Sequence, residues 1–182
     1  MIIVIGIAGA GKSTQGKLLA EHLGCPWLSV GKLLREKVGD RYGHQLLAGE
    51  IIDDTELLPL LGGELKKLRA ESQELVLDGS PRTMHQAEWL AALVKQGQVK
   101  LTAIIHLLAP KKTVHVRLLK RGRPDDTEAA IAQRFKEYDD AILPILAYLS
   151  KQGFKIHEIS GEGSVEEVNN RISQALIRNN HS

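Results

Sequence analysis

The chain opens on Ile2–Ile7, a β-branched apolar run broken only by Gly6. A run without polar alternation predicts a strand buried on both faces, as in the middle of a parallel sheet. The spacing then turns helical over Lys12–Leu23, where Leu19 and Leu23 share a face and Gly24 supplies the stop. Trp27–Val30 reads as a short strand, and Leu33–Val38 and Asp53–Ala70 read as helices. The second of these carries Asp53, Asp54 and Glu56 at its start, where the helix dipole favours acids. Leu75–Leu77 is a third strand, ending at Asp78-Gly79. Thr83–Gln96 is a helix closed by Gly97, and Ala103–Leu108 is a buried strand stopped by Pro110. Helices follow at Lys111–Lys120 and Thr127–Leu149, the latter with a kink expected near Pro144. Lys155–Ile159 is the last strand. Ser164–Ile177 is the last helix, opened by a capping box of Ser164 with Glu167.

Five strands alternating with helices predict an α/β fold: a five-stranded parallel sheet with helices on both faces. Ligands of such sheets bind beyond the carboxyl ends of the strands, where Gly6, Ser29, Asp78 and Leu108 fall. The 182 residues suit one domain and contain no repeat or linker. A net charge of +2 is too small to argue for a nucleic-acid or membrane-surface partner, neither of which is expected, and any basic patch must be local. Cys25 is the single cysteine, so neither an intramolecular disulfide nor a cysteine-rich zinc site is available. The seven histidines are dispersed without metal-ligand spacing. The N-terminal apolar run is too short, and lacks the basic leader, for a signal peptide. No stretch approaches a membrane span. These features predict a soluble, cytoplasmic protein.

The strongest chemical signal is Gly6-Ile7-Ala8-Gly9-Ala10-Gly11-Lys12-Ser13, which meets G-x-x-x-x-G-K-[ST] at every fixed position, with a strand before it and a helix after. Glycines let the backbone curl so that amide N–H groups converge on phosphate oxygens, and the helix N-terminus adds its positive dipole end. Lys12 can bridge the β- and γ-phosphates and the Ser13 hydroxyl can ligate Mg²⁺. The motif predicts a nucleoside triphosphate and a P-loop three-layer fold, but not the phosphoryl acceptor. Asp78, at the end of an apolar strand, can hold Mg²⁺ or its waters, or serve only as a turn residue before Gly79. Arg117, Arg121, Arg123 and Arg134 lie close in sequence and suit phosphate oxygens, although a solvated basic face has the same pattern. Arg35 and Arg82 follow two different strands at the same sheet edge. A second pair of guanidinium groups points to a second phosphate, which an acceptor nucleotide would carry.

With these residues in view, the chain resembles a nucleoside monophosphate kinase of the adenylate kinase type with a short lid. The matching segments are Gly6–Gln15, Leu28–Arg35, Gly49–Asp54, Leu77–Thr83 with Gln86, Leu118–Asp126, Arg134 and Glu162–Val165. In order and spacing they cover nearly the whole chain. The resemblance implies one kinase domain over 1–182, with an acceptor-binding insertion at about 29–60 and a very short lid at about 121–126. It implies that Gly9, Ala10, Gly11, Lys12, Ser13, Thr14, Arg117 and Arg121 bind ATP, with Ser13 and Asp78 toward Mg²⁺. Ser29, Val30, Arg35, Glu50, Ile52, Gly79, Arg82, Gln86, Arg123 and Arg134 would bind the monophosphate. Lys12, Arg82, Arg117, Arg121, Arg123 and Arg134 would surround the transferring group, and Asp125 and Asp126 would secure the closed lid. Gln86 has two readings: its amide can pair with a base edge, or, spaced three residues from Thr83, it can cap its own helix.

The resemblance further implies a monomer that converts ATP and AMP to two ADP. Several positions depart from the family's pattern. Val30 stands where adenylate kinases usually have threonine, Lys32 replaces a usual aspartate, Ser80 replaces a usual aromatic, and only Gly122 separates Arg121 from Arg123. These departures leave a UMP/CMP-type kinase, or a nucleotide-binding regulatory protein with weak ATPase activity, as alternatives.

Overall fold

The computed structural model describes residues 1–38, 52–122 and 126–177. Five strands form one parallel sheet: β1 (Ile2–Gly6), β2 (Trp27–Ser29), β3 (Val76–Asp78), β4 (Ala103–Leu108) and β5 (Ile156–Ser160). Their spatial order is β2-β3-β1-β4-β5. β1 lies at the centre, pairing Val4 with Asp78 on one side and Gly6 with Leu107 on the other. The connection after β1 runs to β2 on one side, whereas that after the adjacent β4 runs to β5 on the other, which opens a crevice at their carboxyl ends.

The helices are α1 (Lys12–Leu23), α2 (helical over 30–38), α3 (Asp54–Lys67), α4 (Met84–Lys95), α5 (Lys111–Arg121), α6 (Glu128–Glu137), α7 (Leu143–Lys151) and α8 (Val165–Ile177). Every residue of β1 is buried, as its unbroken apolar run requires. Its side chains alternate between two cores. Ile3 and Ile5 join Leu57, Leu61 and Leu65 of α3, Leu90 of α4, and Ile145 and Leu149 of α7. Ile2 and Val4 join Leu19 of α1, Val114 and Leu118 of α5, and Val168 and Ile172 of α8. The result is helix, sheet, helix in three layers, the arrangement the strand pattern predicts.

Helix ends follow local chemistry. Gly24 closes α1, its N–H bonding back to the last turn. At α8 both halves of the expected box form: the Glu167 N–H donates to Ser164 Oγ at 3.2 Å, and the Ser164 N–H donates to Glu167 Oε2 at 2.7 Å. One expectation is corrected. Residues 128–151 are helical without a break, but the irregularity is a π turn just before Pro144 rather than a kink at it. A π-helical turn, Tyr138–Ile142, separates α6 from α7, and the Leu143 N–H reaches the Tyr138 carbonyl. Pro144 has no N–H, and its ring crowds the carbonyl four residues earlier. The wider turn just upstream accommodates both defects.

Candidate active site

Gly11 caps the start of α1, and its φ of 102° is a left-handed conformation that a side chain would strain. No side chain caps this helix and its first turn holds no acidic residue. The N–H groups of that turn have no intrahelical partner, and nothing within the turn offsets the positive end of the dipole. An anion is the natural complement. The loop before α1 is folded on itself, with the Ala10 N–H donating to the Ile7 carbonyl at 3.1 Å. Lys12 Nζ donates to the same carbonyl at 3.0 Å, so the ammonium lies across the loop.

This loop forms one wall of a cleft of about 830 Å³. From the first half of the chain, Gly9, Ala10, Gly11, Lys12, Ser13, Thr14, Ser29, Val30, Arg35 and Ile52 line it. Asp78, Gly79, Arg82, Gln86, Arg117, Arg121 and Arg134 line it from the second half. Residues predicted from distant parts of the sequence therefore converge on one space. Glu50, Arg123 and Asp125 lie outside the described residues.

The cleft's electrostatics favour a polyanion. Lys12, Lys32, Arg35, Arg82, Arg117, Arg121 and Arg134 line it, against Asp78 and Glu137. A chain of net charge +2 has thus gathered seven of its cations in one concavity. Burial lowers the Lys12 pKa to about 8; Asp78 opposes the shift, while Arg82, Arg121 and Arg134 reinforce it. Burial likewise pushes the Arg82 guanidinium below its ordinary range, with Glu137 opposing.

Two contacts fix geometry at the phosphate end. The Ser13 hydroxyl donates to Asp78 Oδ2 at 2.6 Å, joining the first turn of α1 to the end of β3. Arg117 Nη2 donates to the Gly161 carbonyl at 3.0 Å. A third contact organises the arginines. Asp126, its side chain 1% exposed, accepts from Arg121 Nε at 2.8 Å and Nη2 at 2.6 Å, and from Arg134 Nη1 at 2.8 Å. One buried carboxylate thereby holds two guanidinium groups at the cleft. Lys32 is exposed and pairs with Glu36 one turn on, at 3.7 Å.

Gln86 does not close a capping box with Thr83. Thr83 does cap α4, accepting the Gln86 N–H at 3.0 Å. The Gln86 side chain does not reach back to the Thr83 N–H; its Oε1 accepts from the Arg82 N–H at 2.8 Å and from Ser80 Oγ at 3.1 Å. Its Nε2 donates to Asp54 Oδ1 at 2.6 Å.

Sequence reasoning missed Glu137 and Tyr138, which also line the cleft. Glu137 was accessible in principle, since it stands three residues from Arg134 on the same face of α6. Tyr138 was accessible on the same ground, since it stands four residues from Arg134 and its N–H bonds the Arg134 carbonyl. Its hydroxyl lies 2.7 Å from Nε2 of His106, a buried residue of β4.

A strand, glycine-rich loop and helix facing a cationic cleft at the switch point of a parallel sheet define a phosphate-loop nucleotide-binding protein. A sequence model of the adenylate kinase family matches residues 4–154, and the chain belongs to that family. It is 35% identical over 182 residues to the adenylate kinase of Mycobacteroides abscessus, with 97% of this chain and 99% of that protein covered. It is 35% identical over 181 residues to the adenylate kinase of Corynebacterium glutamicum, at 96% and 98% coverage. To that of a Synechococcus species it is 34% identical over 181 residues, at 96% and 97%. Among the described residues no helix is long and apolar enough to cross a membrane.

Proposed function

We propose that this chain transfers the terminal phosphoryl group of ATP to AMP, giving two ADP. The observation that carries the reading is the shared cleft: the phosphate loop with Lys12 lines one part, and Arg35 with Arg82 lines another. Two anionic ligands can therefore meet end to end. In this reading Gly9–Thr14 hold the β- and γ-phosphates of ATP, with Arg117 and Arg121 beside them. Arg35 and Arg82 grip the monophosphate. Val30, Ile52, Gly79 and Gln86 face its base, and Arg134 stands between the two ligands.

Ser13 and Asp78 fit a hard divalent cation. They place a hydroxyl and a carboxylate oxygen 2.6 Å apart at the foot of the loop. Among the described residues no cluster of three or more His, Cys, Asp or Glu side chains forms a metal cage. Mg²⁺ needs none, because it keeps waters and takes phosphate oxygens alongside one or two protein donors. When bound, it neutralises charge on the β- and γ-phosphates.

The transfer needs no side-chain base. A phosphate oxygen of AMP is already a nucleophile; it bonds to the γ-phosphorus as the bond to the β-bridging oxygen breaks, and ADP leaves. The protein aligns the two ligands and spreads cationic charge around the transferring group. The carboxylate of Asp126 keeps Arg121 and Arg134 in place before any ligand arrives. In this reading the chain acts as the monomer that the family resemblance implies. A pyrimidine monophosphate is the second reading, favoured by the apolar Val30 side chain, 3% exposed at the acceptor wall.

An acceptor panel tests the proposal. AMP, CMP, UMP, GMP and their deoxy forms are each incubated with ATP and Mg²⁺, and diphosphate is measured. AMP is expected to give the highest kcat/KM. Nucleotide binding without diphosphate from any acceptor would refute kinase activity.

A further inference from the structure

Asp54 is the first residue of α3 and does not line the cleft, yet it is bonded to a group that does. Its Oδ1 takes the Gln86 Nε2 hydrogen at 2.6 Å, and its Oδ2 takes the Thr83 hydroxyl at 2.6 Å. His85 Nδ1 lies 3.4 Å from the same Oδ2. Two helix N-termini, those of α3 and α4, thus meet at one carboxylate, which suits both positive dipole ends.

The consequence falls on Gln86. An amide side chain has two nearly equivalent orientations that differ in which end donates. Here the choice is forced from both sides. The Arg82 backbone N–H can only donate, so Oε1 must face it. The Asp54 carboxylate can only accept, so Nε2 must face it. With Oε1 already accepting from Arg82 and Ser80, the amide group left to serve a ligand in the cleft that Gln86 lines is a donor, the second Nε2 hydrogen. A donor suits a base edge with a bare ring nitrogen, as in adenine or cytosine. It opposes the ring N–H of guanine or uracil.

We infer that Asp54 is a specificity-determining positioning residue: it locks the Gln86 amide as a donor and so selects acceptor bases whose ring nitrogen is unprotonated. This rests on the acceptor site proposed above. A carboxylate is required for full effect because its bond to Nε2 is charge-assisted and it has no donor orientation to confuse the lock.

The test measures kcat and KM for AMP, CMP, GMP and UMP, and KM for ATP, in wild type, Asp54→Asn, Asp54→Ala, Gln86→Ala and the Asp54→Ala/Gln86→Ala pair. Loss of one such bond costs about tenfold. For Asp54→Ala, the preference for AMP over GMP is therefore expected to shrink by about tenfold, mainly through acceptor KM, with KM for ATP held within about twofold. Asp54→Asn, with a neutral bond, should show about a threefold shrinkage, and it decides the matter if the alanine variant does not fold. The double variant should discriminate no worse than Gln86→Ala alone. Unchanged discrimination in the Asp54 variants would overturn the inference. So would a parallel loss toward ATP and every acceptor, or a further loss of discrimination in the double variant. Wild type that phosphorylates none of the four acceptors would instead sink the acceptor-site reading itself, and the inference with it.

Discussion

Replacing Asp126 by alanine removes the carboxylate that joins two of the cleft's arginines. At least three hydrogen bonds of 2.6–2.8 Å to charged donors are lost. Arg134 is 8% exposed and cannot turn to water, whereas the Arg121 side chain is 33% exposed and can. Deleting one partner of a buried ion pair costs about 3–5 kcal/mol, and the freedom of Arg121 puts this case near the lower figure, about 3 kcal/mol. For a chain of this size each kcal/mol moves Tm by about 2–4 °C, so a fall of roughly 6–12 °C is expected by circular dichroism. Activity should fall by a comparable free energy. A guanidinium misplaced by about 1 Å can cost on the order of 100-fold in kcat. A coupled ADP assay well below the new Tm separates the two effects. Asp126→Asn, which keeps the shape without the charge, should lie between wild type and alanine on both measures. An alanine variant melting within about 2 °C of wild type, or with unchanged kcat, would refute the assignment of Asp126 as the organiser of these arginines.

Other perturbations address other parts of the site. The ammonium of Lys12 is the phosphate-binding form and is lost as pH rises through about 8, so the ATP affinity of the free protein should weaken between pH 7 and 9.5 in a calorimetric titration. The same shift has a stability sign: between about 8 and the ordinary 10.5 the unfolded chain holds this proton and the folded chain does not, so stability from this group rises with pH, and Lys12→Met should lose that dependence in melts. Arg82→Ala should raise acceptor KM by about 100-fold while ATP affinity changes little, since one charge-assisted pair is worth about 1.5–3 kcal/mol; loss of ATP affinity with retained acceptor affinity would contradict the assigned sites. Gly161→Ala would place a Cβ 2.9 Å from the Ala10 carbonyl oxygen and 3.2 Å from that of Leu108. Backbone must shift there, so about 1–3 kcal/mol of stability should be lost in denaturant melts, with weaker ATP binding from the displaced loop.

The layers were legible in the sequence because burial on both faces leaves an unbroken apolar run, as in Ile2–Ile5, and because glycine and proline punctuate the helices. The phosphate loop was legible because its chemistry is confined to consecutive residues. Convergence of Arg35, Arg82 and Arg134 on one cleft was an expectation from family resemblance and sheet topology, and the cleft brings all three together. What stayed hidden was the choice of partner. Nothing in local spacing says that Asp126 takes Arg121 and Arg134, or that Gln86 turns its oxygen to the Arg82 amide and its nitrogen to Asp54. Such choices depend on which helix ends meet in space. The π-turn was hidden for a related reason: Pro144 announces a defect, but the packing on either side decides where the helix absorbs it.

That turn also settles how one rod serves two neighbours. In an unbroken α-helix Arg134 and Ile145 would point within about 20° of each other around the axis. Yet Arg134 lines the cleft and Ile145 is packed in the hydrophobic interior. The extra residue absorbed at 138–142 resets the helical phase, like a dislocation in a lattice. Straightening the turn into regular α-helix without losing a residue would rotate everything beyond it by about 100° and swing Ile145 and Leu149 off the sheet, whereas deleting one residue there would give a regular helix that keeps their facing.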